Sequence, residues 1–363
     1  MKNKQPQIII AVISDLNTDQ RIQKIAGSLH EHLGNVTVIC RKLRKSNPDY
    51  PFRVRRIRML LKSGVAFYAT FNIRLFFRLL ICRSDIIVSN DADTLLPCYY
   101  AAKLKGSKLV FDSHEIMSEV PEVIHRPRVQ KVWQWIEKTY IPKIRYKYTV
   151  CNSLKDFYNS GFKVIRNVPY RLELKDSKPH GEEKMILYQG SVNMGRGIED
   201  MIAALPFIDN AVFVIVGDGY MMRELRIMVQ NSNVAEKVIF KGKMDPKKLS
   251  VYTQLADLGI SIEENLGLNY FYALPNKLMD YIQAGVPVLV SDFPEMQNIV
   301  KTYNVGETLK SREPEMLAQQ INRMLNDTMQ LEKWKENLKS ASKELCWEKE
   351  ETELLRLYRE VLS

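Results

Sequence analysis

Two segments in the second half of the chain carry the residue types that bind phosphate. The first, LYQGSVNMGRGIEDMIAALP, joins a strand pattern to an amphipathic helix pattern through Gly190, Gly195, Arg196 and Gly197. Glycine lets a phosphate approach the backbone closely, and the amides of a helix N-terminus together with an arginine bind it. A tight turn without a ligand fits the same pattern, and no Gly-Lys-Ser/Thr sequence follows to make it a Walker loop.

The second segment, LPNKLMDYIQAGVPVLVSD, places a cation and a carboxylate on one helical face. Its spacing predicts Pro275 at the first helical position, with Asn276 and Lys277 in the first turn. Lys277 and Asp280 are three positions apart and share a face, which suits a diphosphate at the helix start and a ribose diol one turn later. A capped helix with a surface Lys and Asp is the alternative. Gly217 in VGDGY marks a third strand-end turn, which suits either a ligand loop or simple chain reversal.

Polar residues also follow two strand patterns in the first half. Asp15 and Asn17 come after IIIAVI, and His114 and Glu115 come after KLVFDS. Of the five histidines, His114 alone stands at the carboxyl end of a strand pattern, and a carboxylate beside it suits proton transfer. N-capping in the first loop and a structural histidine in the second are the alternatives.

These residues need parallel sheets to position them. Short β-branched runs alternate with longer helical patterns in both halves, which indicates βαβ units, and the polar segment RLELKDSKPHGEEK between the halves indicates a linker. The chain is therefore predicted to be α/β, with two doubly wound domains whose ligands lie beyond the carboxyl ends of the strands. The predicted parts are an N-terminal domain at 1–170, a linker at 171–184, a C-terminal domain at 185–340, and a helix at 341–363 that packs back on the N-terminal domain.

The order and spacing of the second-half motifs resemble the retaining GT-B glycosyltransferases of glycosyltransferase family 4. The motifs are GSVNMGRG, VGDG, VIFKGKM, ADLGISI and PNKLMDYIQAGVPVLVSD, and with the two-domain length the resemblance covers nearly the whole chain. It implies a GT-B fold, in which two Rossmann-like domains face a central cleft. It also implies an enzyme of the bacterial envelope or exopolysaccharide type that needs no metal or other cofactor. Such an enzyme moves a hexose from a UDP- or GDP-linked sugar to a glycan or lipid-linked acceptor with retention of configuration.

The resemblance assigns donor-binding roles residue by residue. The family's diphosphate loop has the pattern GR…KG. Gly190 and Ser191 stand at the GR positions, and Arg196 and Gly197 stand at the KG positions. One cation is therefore kept as Arg196, and the other is replaced by Ser191. Asp280 corresponds to the second acid of the family's E-x7-E motif and would hold the ribose hydroxyls. The donor-binding residues implied in this way are Gly190, Ser191, Arg196, Gly197, Gly217, Asn276, Lys277 and Asp280.

The chain departs from the family at the first acid of that motif, which falls on Tyr272. This acid engages the donor sugar in the family, so the sugar contact is open here, with Asn269, Glu264 and Glu263 of the preceding loop as candidates. Lys277 within PNK resembles a variant of envelope-polysaccharide members and would offset the cation missing from the diphosphate loop.

The resemblance also implies the reacting centre. His114 stands where the family has a histidine that approaches the donor sugar and would orient it. Front-side attack needs no protein nucleophile, so stabilisation of the departing diphosphate by Arg196, Lys277 and helix amides would do most of the catalysis. Glu115 or Asp15 would help to remove the acceptor proton, which makes His114, Glu115 and Asp15 the predicted catalytic residues.

The sequence Asp91-Ala92-Asp93 matches the DxD metal site of the other major glycosyltransferase fold, where two carboxylates hold a divalent ion on the donor diphosphate. The stronger phosphate signals all lie in the second half, and NDADTLLPCYYAAKL runs straight into a helix pattern. N-capping is therefore the preferred interpretation, and no metal site is predicted.

Two alternative functions stay open, the first of them because Tyr272 breaks the family's motif. The first is a nucleotide-sugar epimerase of the same fold, which would act without an acceptor. The second is a non-catalytic nucleotide-sugar-binding protein, which would bind without hydrolysis or transfer. Nucleic-acid binding is suggested by charge alone, with no zinc or RNA-binding signature, and is not predicted.

The chain's positive charge is concentrated in one window. The 363 residues are 45% apolar and 26% charged, which excludes a disordered tail, a collagenous repeat or a small stapled domain, and the net charge is +11. Positions 41–83 hold 12 basic residues and one acid, Asp49, interspersed with aromatic residues. This mixture predicts contact with an anionic membrane surface, with a sheet-packed helix and solvated arginines as the alternative.

The predicted location is cytoplasmic, and peripheral at the inner membrane face. The 5 cysteines are scattered and form no CxxC pair, which indicates a reduced protein. No apolar run reaches the length of a membrane span, because Arg74, Arg78 and Arg83 interrupt the most hydrophobic stretch.

Overall fold

The computed structural model of the chain describes residues 5–43, 48–159, 161–174 and 183–363, apart from the side chain of Lys247. The chain divides into two compact units, the first formed by Met1–Asn167 with Glu350–Ser363 and the second by Val168–Lys349. Of the predicted linker, residues 175–182 lie outside the described residues, as do residues 44–47 of the basic window.

Seven parallel strands form the sheet of the first unit, in the order β3-β2-β1-β4-β5-β6-β7. Its elements in chain order are β1 (Gln7–Ala11), α1 (Gln20–His32), β2 (Asn35–Arg41), β3 (Arg53–Ile57), α2 (Val65–Ile81), β4 (Ile86–Asn90), α3 (Leu95–Lys105), β5 (Lys108–Ser113), α4 (Pro121–Ile124), α5 (Pro127–Tyr140), β6 (Tyr146–Thr149), α6 (Asn152–Tyr158) and β7 (Lys163–Val164).

Six parallel strands form the sheet of the second unit, in the order β10-β9-β8-β11-β12-β13. Its elements are β8 (Lys184–Ser191), α7 (Ile198–Ala204), β9 (Ala211–Asp218), α8 (Met222–Gln230), β10 (Val238–Gly242), α9 (Pro246–Thr253), β11 (Leu258–Ser261), α10 (Leu268–Phe271), α11 (Asn276–Gln283), β12 (Val288–Val290), α12 (Pro294–Tyr303), β13 (Gly306–Thr308), α13 (Pro314–Asn326) and α14 (Thr328–Glu344), followed by α15 (Trp347–Leu362).

Both sheets confirm the prediction of two doubly wound α/β domains. The central strands are buried apolar runs such as QIIIA and AVFVIV, because helices cover both faces of a parallel sheet. In each unit the strand order reverses beside the first strand, between β1 and β4 and between β8 and β11. A crevice opens at such a point beyond the carboxyl ends of the strands, and the predicted site residues follow these strands or their neighbours.

Part of the basic window forms a strand that the sequence pattern does not indicate. Arg53–Ile57 pairs with β2 as the edge strand β3, with Arg53 and Arg55 exposed and Ile57 buried. Charged side chains on an edge strand discourage pairing with another chain. In the described part of the window, the basic residues are therefore distributed over the end of β2, the strand β3, the helix α2 and the loops beside them.

Two further details differ from the sequence prediction. Pro275 is the N-cap of α11, with φ −66° and ψ 135°, so the helix begins one residue later than predicted. The segment predicted as one helix at 341–363 contains the end of α14 and then α15, and Glu350–Ser363 group with the first unit. There Glu350 accepts hydrogen bonds from the backbone and side chain of Arg166, and Tyr358 contacts Tyr148.

Within the described ranges, no helix combines the length and the apolar content that a membrane span requires. All five cysteines are buried and free.

Candidate functional site

In the second unit, glycines allow the strand ends and the following loops to pack closely. A Cβ atom on Gly217 would lie 1.8 Å from the carbonyl oxygen of Gly190, where β8 and β9 run side by side. Gly197 has φ +71°, and its Cβ would lie 2.3 Å from the carbonyl oxygen of Ile262. A side chain at either position would force the backbones apart. The predicted phosphate loop is therefore held against β9 and against the segment that follows β11.

A buried group of charges lies at this point, formed by Arg196, Lys277 and Glu263 and here named the Lys277 cluster. The Lys277 ammonium lies 2.9 Å from Oε1 of Glu263, and Nη1 of Arg196 lies 3.9 Å from the same oxygen. The side chains of Lys277 and Glu263 are 9% and 1% exposed, whereas Arg196 is 27% exposed. Two cations thus share one carboxylate, and the arginine is the member that reaches solvent.

Aromatic rings support both cations of the Lys277 cluster. The ammonium of Lys277 lies 4.1 Å from the ring centroid of Tyr188, and the guanidinium of Arg196 lies 4.9 Å from that of Tyr270. Such contacts hold a cation in a partly dehydrated position. The Lys277 side chain also passes beside Gly190, at 3.5 Å from the position that a Cβ would take.

Glu263 is fixed from several sides. Its carboxylate accepts a hydrogen bond from Ser261, and its backbone carbonyl accepts from Ser291 and Arg312. Burial alone would raise the pKa of Glu263, but the charges of Lys277 and Arg196 hold this pKa below its ordinary value. Glu263 is therefore ionised and rigidly placed.

The predicted ribose-binding carboxylate lies on the same helix as Lys277. Asp280 is half-buried and accepts a hydrogen bond of 3.0 Å from Nε2 of Gln189, whose Oε1 accepts in turn from Thr253. Gln189 directly precedes Gly190 on β8, so α11 directs both Lys277 and Asp280 towards the end of one strand. Asn276 is exposed at the start of α11.

The structure thus brings most of the predicted donor-binding residues together around the ends of β8 and β9. Sequence reasoning did not select Tyr188, Tyr270 or Gln189, and it named Glu263 only as one of three substitutes for the acid missing at Tyr272. The ion pair with Lys277 is 14 positions apart along the chain, and no spacing rule joins the two residues. A buried acid directly after β11 is the signal that points to it in retrospect.

In the first unit, His114 belongs to a second group of charges, the His114 cluster of Arg21, Asp91, Asp112 and His114. Nε2 of His114 lies 2.9 Å from Oδ2 of Asp112, and Nδ1 lies 3.2 Å from Oδ2 of Asp91. Arg21, from α1, donates to Oδ1 of Asp112 at 2.8 Å and to the carbonyl of Ile165 at 3.0 Å. The cluster contains two cations and two carboxylates.

The charges of this cluster stabilise one another. Burial raises the pKa of Asp112, but Arg21 and His114 together lower it to about 2. Burial likewise lowers the pKa of His114, but Asp112 and Asp91 raise it well above its ordinary value. These two carboxylates favour the imidazolium form of His114, whereas Nε of Arg21, at 3.0 Å from Nε2, opposes a proton on that nitrogen.

The neighbouring acids have the opposite tendency. Glu115 is exposed, but partial desolvation by the neighbouring protein together with the charge of Asp91 raises its pKa to about 7. Burial and the charges of Asp91 and Glu115 raise the pKa of Asp93 well above its ordinary value. Glu115 is therefore the group of this region that gains and loses a proton near neutral pH.

Asp91 and Asp15 both serve the local backbone. Asp91 adopts φ +55°, a left-handed conformation that is strained for a residue with a side chain, and accepts from the backbone amide of His114 at 2.7 Å. Asp15 accepts from the amides of Asn17 and Leu43 and is 3% exposed, which fits the N-capping alternative. Its catalytic role is a prediction that the structure leaves untested.

No group of three or more His, Cys, Asp or Glu side chains is arranged to hold a metal ion among the described residues. Asp91 and Asp93 of the DxD sequence face different surroundings, because Asp91 contacts His114 while Asp93 is buried beside it.

Comparisons with known proteins extend this picture. Residues 171–341 match the family described as glycosyl transferases group 1. An uncharacterized glycosyltransferase of Methanocaldococcus jannaschii is 24% identical over 68% of this chain and 58% of its own length. The alpha-monoglucosyldiacylglycerol synthase of Streptococcus pneumoniae is 26% identical over 34% of this chain and 28% of its own length. The chain thus spans little more than half of the first relative and less than a third of the second.

Solved structures agree in fold over nearly the whole chain. Sucrose-phosphate synthase from Thermosynechococcus elongatus superimposes with a TM-score of 0.81 at 16% identity and covers 99% of both chains. Anabaena HepE in complex with UDP-glucose superimposes with a TM-score of 0.72 at 15% identity, over 98% of this chain and all of that one. The fold is that of the GT-B glycosyltransferases. The comparisons thus show the fold over nearly the whole chain, and a match to a glycosyl transferase family over residues 171–341.

Proposed function

We propose that the protein is a retaining glycosyltransferase that binds a nucleotide-diphosphate sugar through its second unit and transfers a hexose to a glycan or lipid-linked acceptor. The observation that carries the proposal is the Lys277 cluster, whose two cations share one carboxylate at the strand-order reversal of the unit that matches the family. The net positive charge of this cluster complements a diphosphate. The relatives add support, because structures of HepE contain UDP and UDP-glucose and the streptococcal relative is named alpha-monoglucosyldiacylglycerol synthase.

The donor would be held at three points. Arg196, the most accessible member of the Lys277 cluster, would contact the diphosphate with the amides at the start of α11, while Asp280 would accept hydrogen bonds from the ribose hydroxyls. Positive charge at the diphosphate also stabilises it as it leaves, so the same contacts would lower the barrier to transfer. No metal is needed in this scheme, because side-chain cations and amides supply the positive charge.

In the reaction, the acceptor oxygen would bond to the anomeric carbon on the face from which the diphosphate oxygen departs. His114 would orient the sugar, because Asp112 and Asp91 hold its ring in one position. Glu115 would accept the acceptor's hydroxyl proton, because its pKa of about 7 suits proton transfer at neutral pH. The nucleoside diphosphate leaves with the electrons of the broken bond.

A donor screen followed by product analysis tests this function. UDP- and GDP-linked hexoses should raise the melting temperature of the protein, and the best donor should then be incubated with glycan and glycolipid acceptors. We expect NMR of the product to show the anomeric configuration of the donor. Inversion of that configuration would refute retention, and a panel in which no nucleotide sugar raises the melting temperature would refute the donor assignment. Epimerised donor without transfer would favour the epimerase.

We further propose that α2 rests on an anionic membrane surface where a lipid-linked acceptor is presented. This helix has two apolar faces, one of which packs on the sheet through Phe67, Phe71, Leu75 and Leu79. The other follows the same four-residue spacing and is exposed, with Val65 at 73% and Ile81 at 84% exposure. Its members are Val65, Ala69, Ile73, Phe77 and Ile81.

Cations accompany the exposed face of α2. Arg74 and Arg78 lie on the helix, Arg58 and Lys62 precede it and Arg83 follows it, and all five are exposed. Apolar side chains beside arginine and lysine suit the interface of a bilayer that contains anionic lipid, and a merely solvated helix does not need the apolar stripe.

Sedimentation with vesicles tests the membrane proposal. The protein should sediment with vesicles rich in anionic lipid at low salt and stay in the supernatant with neutral vesicles. The double substitution Ile73→Glu/Phe77→Glu should abolish sedimentation, whereas Leu104→Glu, at an equally exposed apolar position on α3, should not. Equal recovery in the supernatant with both vesicle types would refute the proposal.

A further inference from the structure

We infer that Glu263 is an internal counter-anion that competes with the donor's diphosphate for Arg196 and Lys277. It thereby weakens the binding of the nucleoside diphosphate product. The inference rests on the proposed function, because it concerns the regulation of the same site. As a substitute for the acid missing at Tyr272, Glu263 was a candidate for contact with the donor sugar. The role inferred here is a different one.

Burial argues against direct contact between Glu263 and a sugar. The residue is 1% exposed, and protein groups bind both its carboxylate and its backbone carbonyl. Ser261 and Lys277 bind the carboxylate, while Ser291 and Arg312 bind the backbone carbonyl. A ligand would have to dismantle these contacts to reach the carboxylate. Glu263 is therefore a positioning residue, which acts through the two cations.

The distances show how the competition would work. Oε1 of Glu263 lies 2.9 Å from the Lys277 ammonium and 3.9 Å from Nη1 of Arg196, so one oxygen attracts both cations. A diphosphate beside Arg196 would bring further negative charge close to Glu263, and the two anions would repel each other. Without Glu263 the same two cations would hold the diphosphate more tightly.

A second observation indicates that the arginine is arranged for an additional partner. Nε of Arg196 is buried and has no hydrogen-bond partner among the described residues, although buried donors are nearly always paired. The closest carboxylate, Glu263, lies at 3.9 Å from Nη1, which is beyond hydrogen-bond distance. Arg196 therefore lies near Glu263 but keeps hydrogen-bonding capacity that Glu263 does not use. A residue that exchanges one anionic partner for another needs such capacity.

The substitution Glu263→Gln separates these roles, since glutamine keeps the size and removes the charge. Titration calorimetry with UDP and GDP should show tighter binding to the variant, by about tenfold at low salt for the nucleotide that binds the unaltered protein, with the gain reduced at high salt. Uridine and guanosine should bind equally to both proteins, because they carry no phosphate. In turnover the variant should show stronger inhibition by the nucleoside diphosphate.

Two companion variants keep the test decisive. Glu307→Gln removes a carboxylate that pairs with Arg323 in the same unit, and it should leave nucleotide affinity unchanged. If Glu263→Gln unfolds because the buried Lys277 loses its partner, Lys277→Met/Glu263→Gln is compared with Lys277→Met alone, and the double variant should bind the nucleotide more tightly.

The outcomes distinguish the inference from the function beneath it. Absence of nucleoside diphosphate binding to the unaltered protein would refute the proposed function itself. Normal binding to that protein with equal or weaker binding to folded Glu263→Gln, in both backgrounds, would overturn the role of Glu263 alone. A raised KM for the nucleotide sugar with unchanged affinity for the nucleoside diphosphate would instead indicate a sugar contact.

Discussion

The two charged clusters occupy corresponding places, at the carboxyl ends of strands in parallel sheets, but their charges differ in balance. The His114 cluster contains two cations and two carboxylates, and the Lys277 cluster contains two cations and one carboxylate. A balanced group of buried charges satisfies itself and fixes a geometry. An unbalanced group keeps attraction for a ligand of the opposite sign. The His114 cluster is therefore suited to holding a fixed geometry, and the Lys277 cluster to attracting an anion.

Breaking the balance of the His114 cluster should have the largest effect. Asp112→Asn leaves Arg21 buried without its carboxylate, and removal of one partner of a buried ion pair costs about 3–5 kcal/mol of unfolding free energy. Urea denaturation at pH 7 measures this loss. Asp156→Asn, at an exposed position of the same unit, should change the unfolding free energy by less than about 0.5 kcal/mol.

The same variant should also change the response to acid. Asp112 has a folded-state pKa of about 2, lower than in an unfolded chain, so its contribution is complete above about pH 4 and is lost as the pH falls towards 2. The lost part corresponds to about 2 kcal/mol. Denaturation curves from pH 5 to pH 2 should be less steeply pH-dependent in Asp112→Asn, and parallel curves would contradict this account.

The next largest effect should come from the base of the first unit. If Glu115 accepts the acceptor's proton, transfer activity should rise with pH through about 7, because only the ionised carboxylate takes the proton. Glu115→Gln should lower kcat by about a hundredfold and remove this dependence. Glu122→Gln is the matched control, since it removes a nearby charge that raises the pKa of Glu115 and should move the midpoint slightly downwards. An unaltered pH profile in Glu115→Gln would eliminate the residue as the base.

Removal of the exposed cation of the Lys277 cluster should have a smaller effect. Arg196→Met should weaken nucleoside diphosphate binding by about tenfold, because one charge-assisted contact is lost, and should reduce the salt dependence of binding. Arg226→Met removes another arginine that stacks on an aromatic ring of this unit, Phe240, and should not affect binding. Equal calorimetric losses in the two variants would show that Arg196 acts only through packing.

The smallest effect concerns the acid that the His114 cluster does not neutralise. Asp93 has a raised pKa, so its burial makes the protein less stable as the pH rises above the ordinary pKa of an aspartate. Asp93→Asn removes this ionisation and should give a small gain in unfolding free energy at pH 7 that disappears near pH 3. A loss at both pH values would show that the carboxyl group makes a specific contact.

The sequence allowed the fold to be predicted well, because the central strands of parallel sheets are continuous apolar runs. It did not reveal β3, whose sequence is RVRRI. This strand lies at the sheet edge, pairs with one neighbour and buries little apolar surface, so its sequence lacks an apolar pattern. It did not reveal Arg21 either, since this arginine lies on α1 and finds Asp112 at a distance of 91 positions along the chain.

For the candidate site, backbone chemistry was easier to predict than side-chain pairing. Gly190 and Gly197 were selected as glycines whose backbone a phosphate could approach, and Gly217 as a strand-end turn. The structure shows a positive φ at all three, and close contact with a neighbouring backbone at Gly197 and Gly217. The pairing of Lys277 with Glu263 depends on the course of a loop, for which a single sequence contains no periodic signal. His114 was selected by its position after a strand, but its protonation state depends on two carboxylates from different parts of the chain.

The return of α15 to the first unit has a consequence for synthesis. The first unit includes Glu350–Ser363, which are translated only after the whole of Val168–Lys349, about 180 residues later. At about 5–20 residues per second, the ribosome needs roughly 10–40 seconds for this stretch. During that time Tyr148, which is fully buried beside Tyr358 in the folded protein, has no cover from α15. Synthesis of the first unit thus begins before that of the second and ends after it, so the sheet face that α15 covers stays open while the second unit is made.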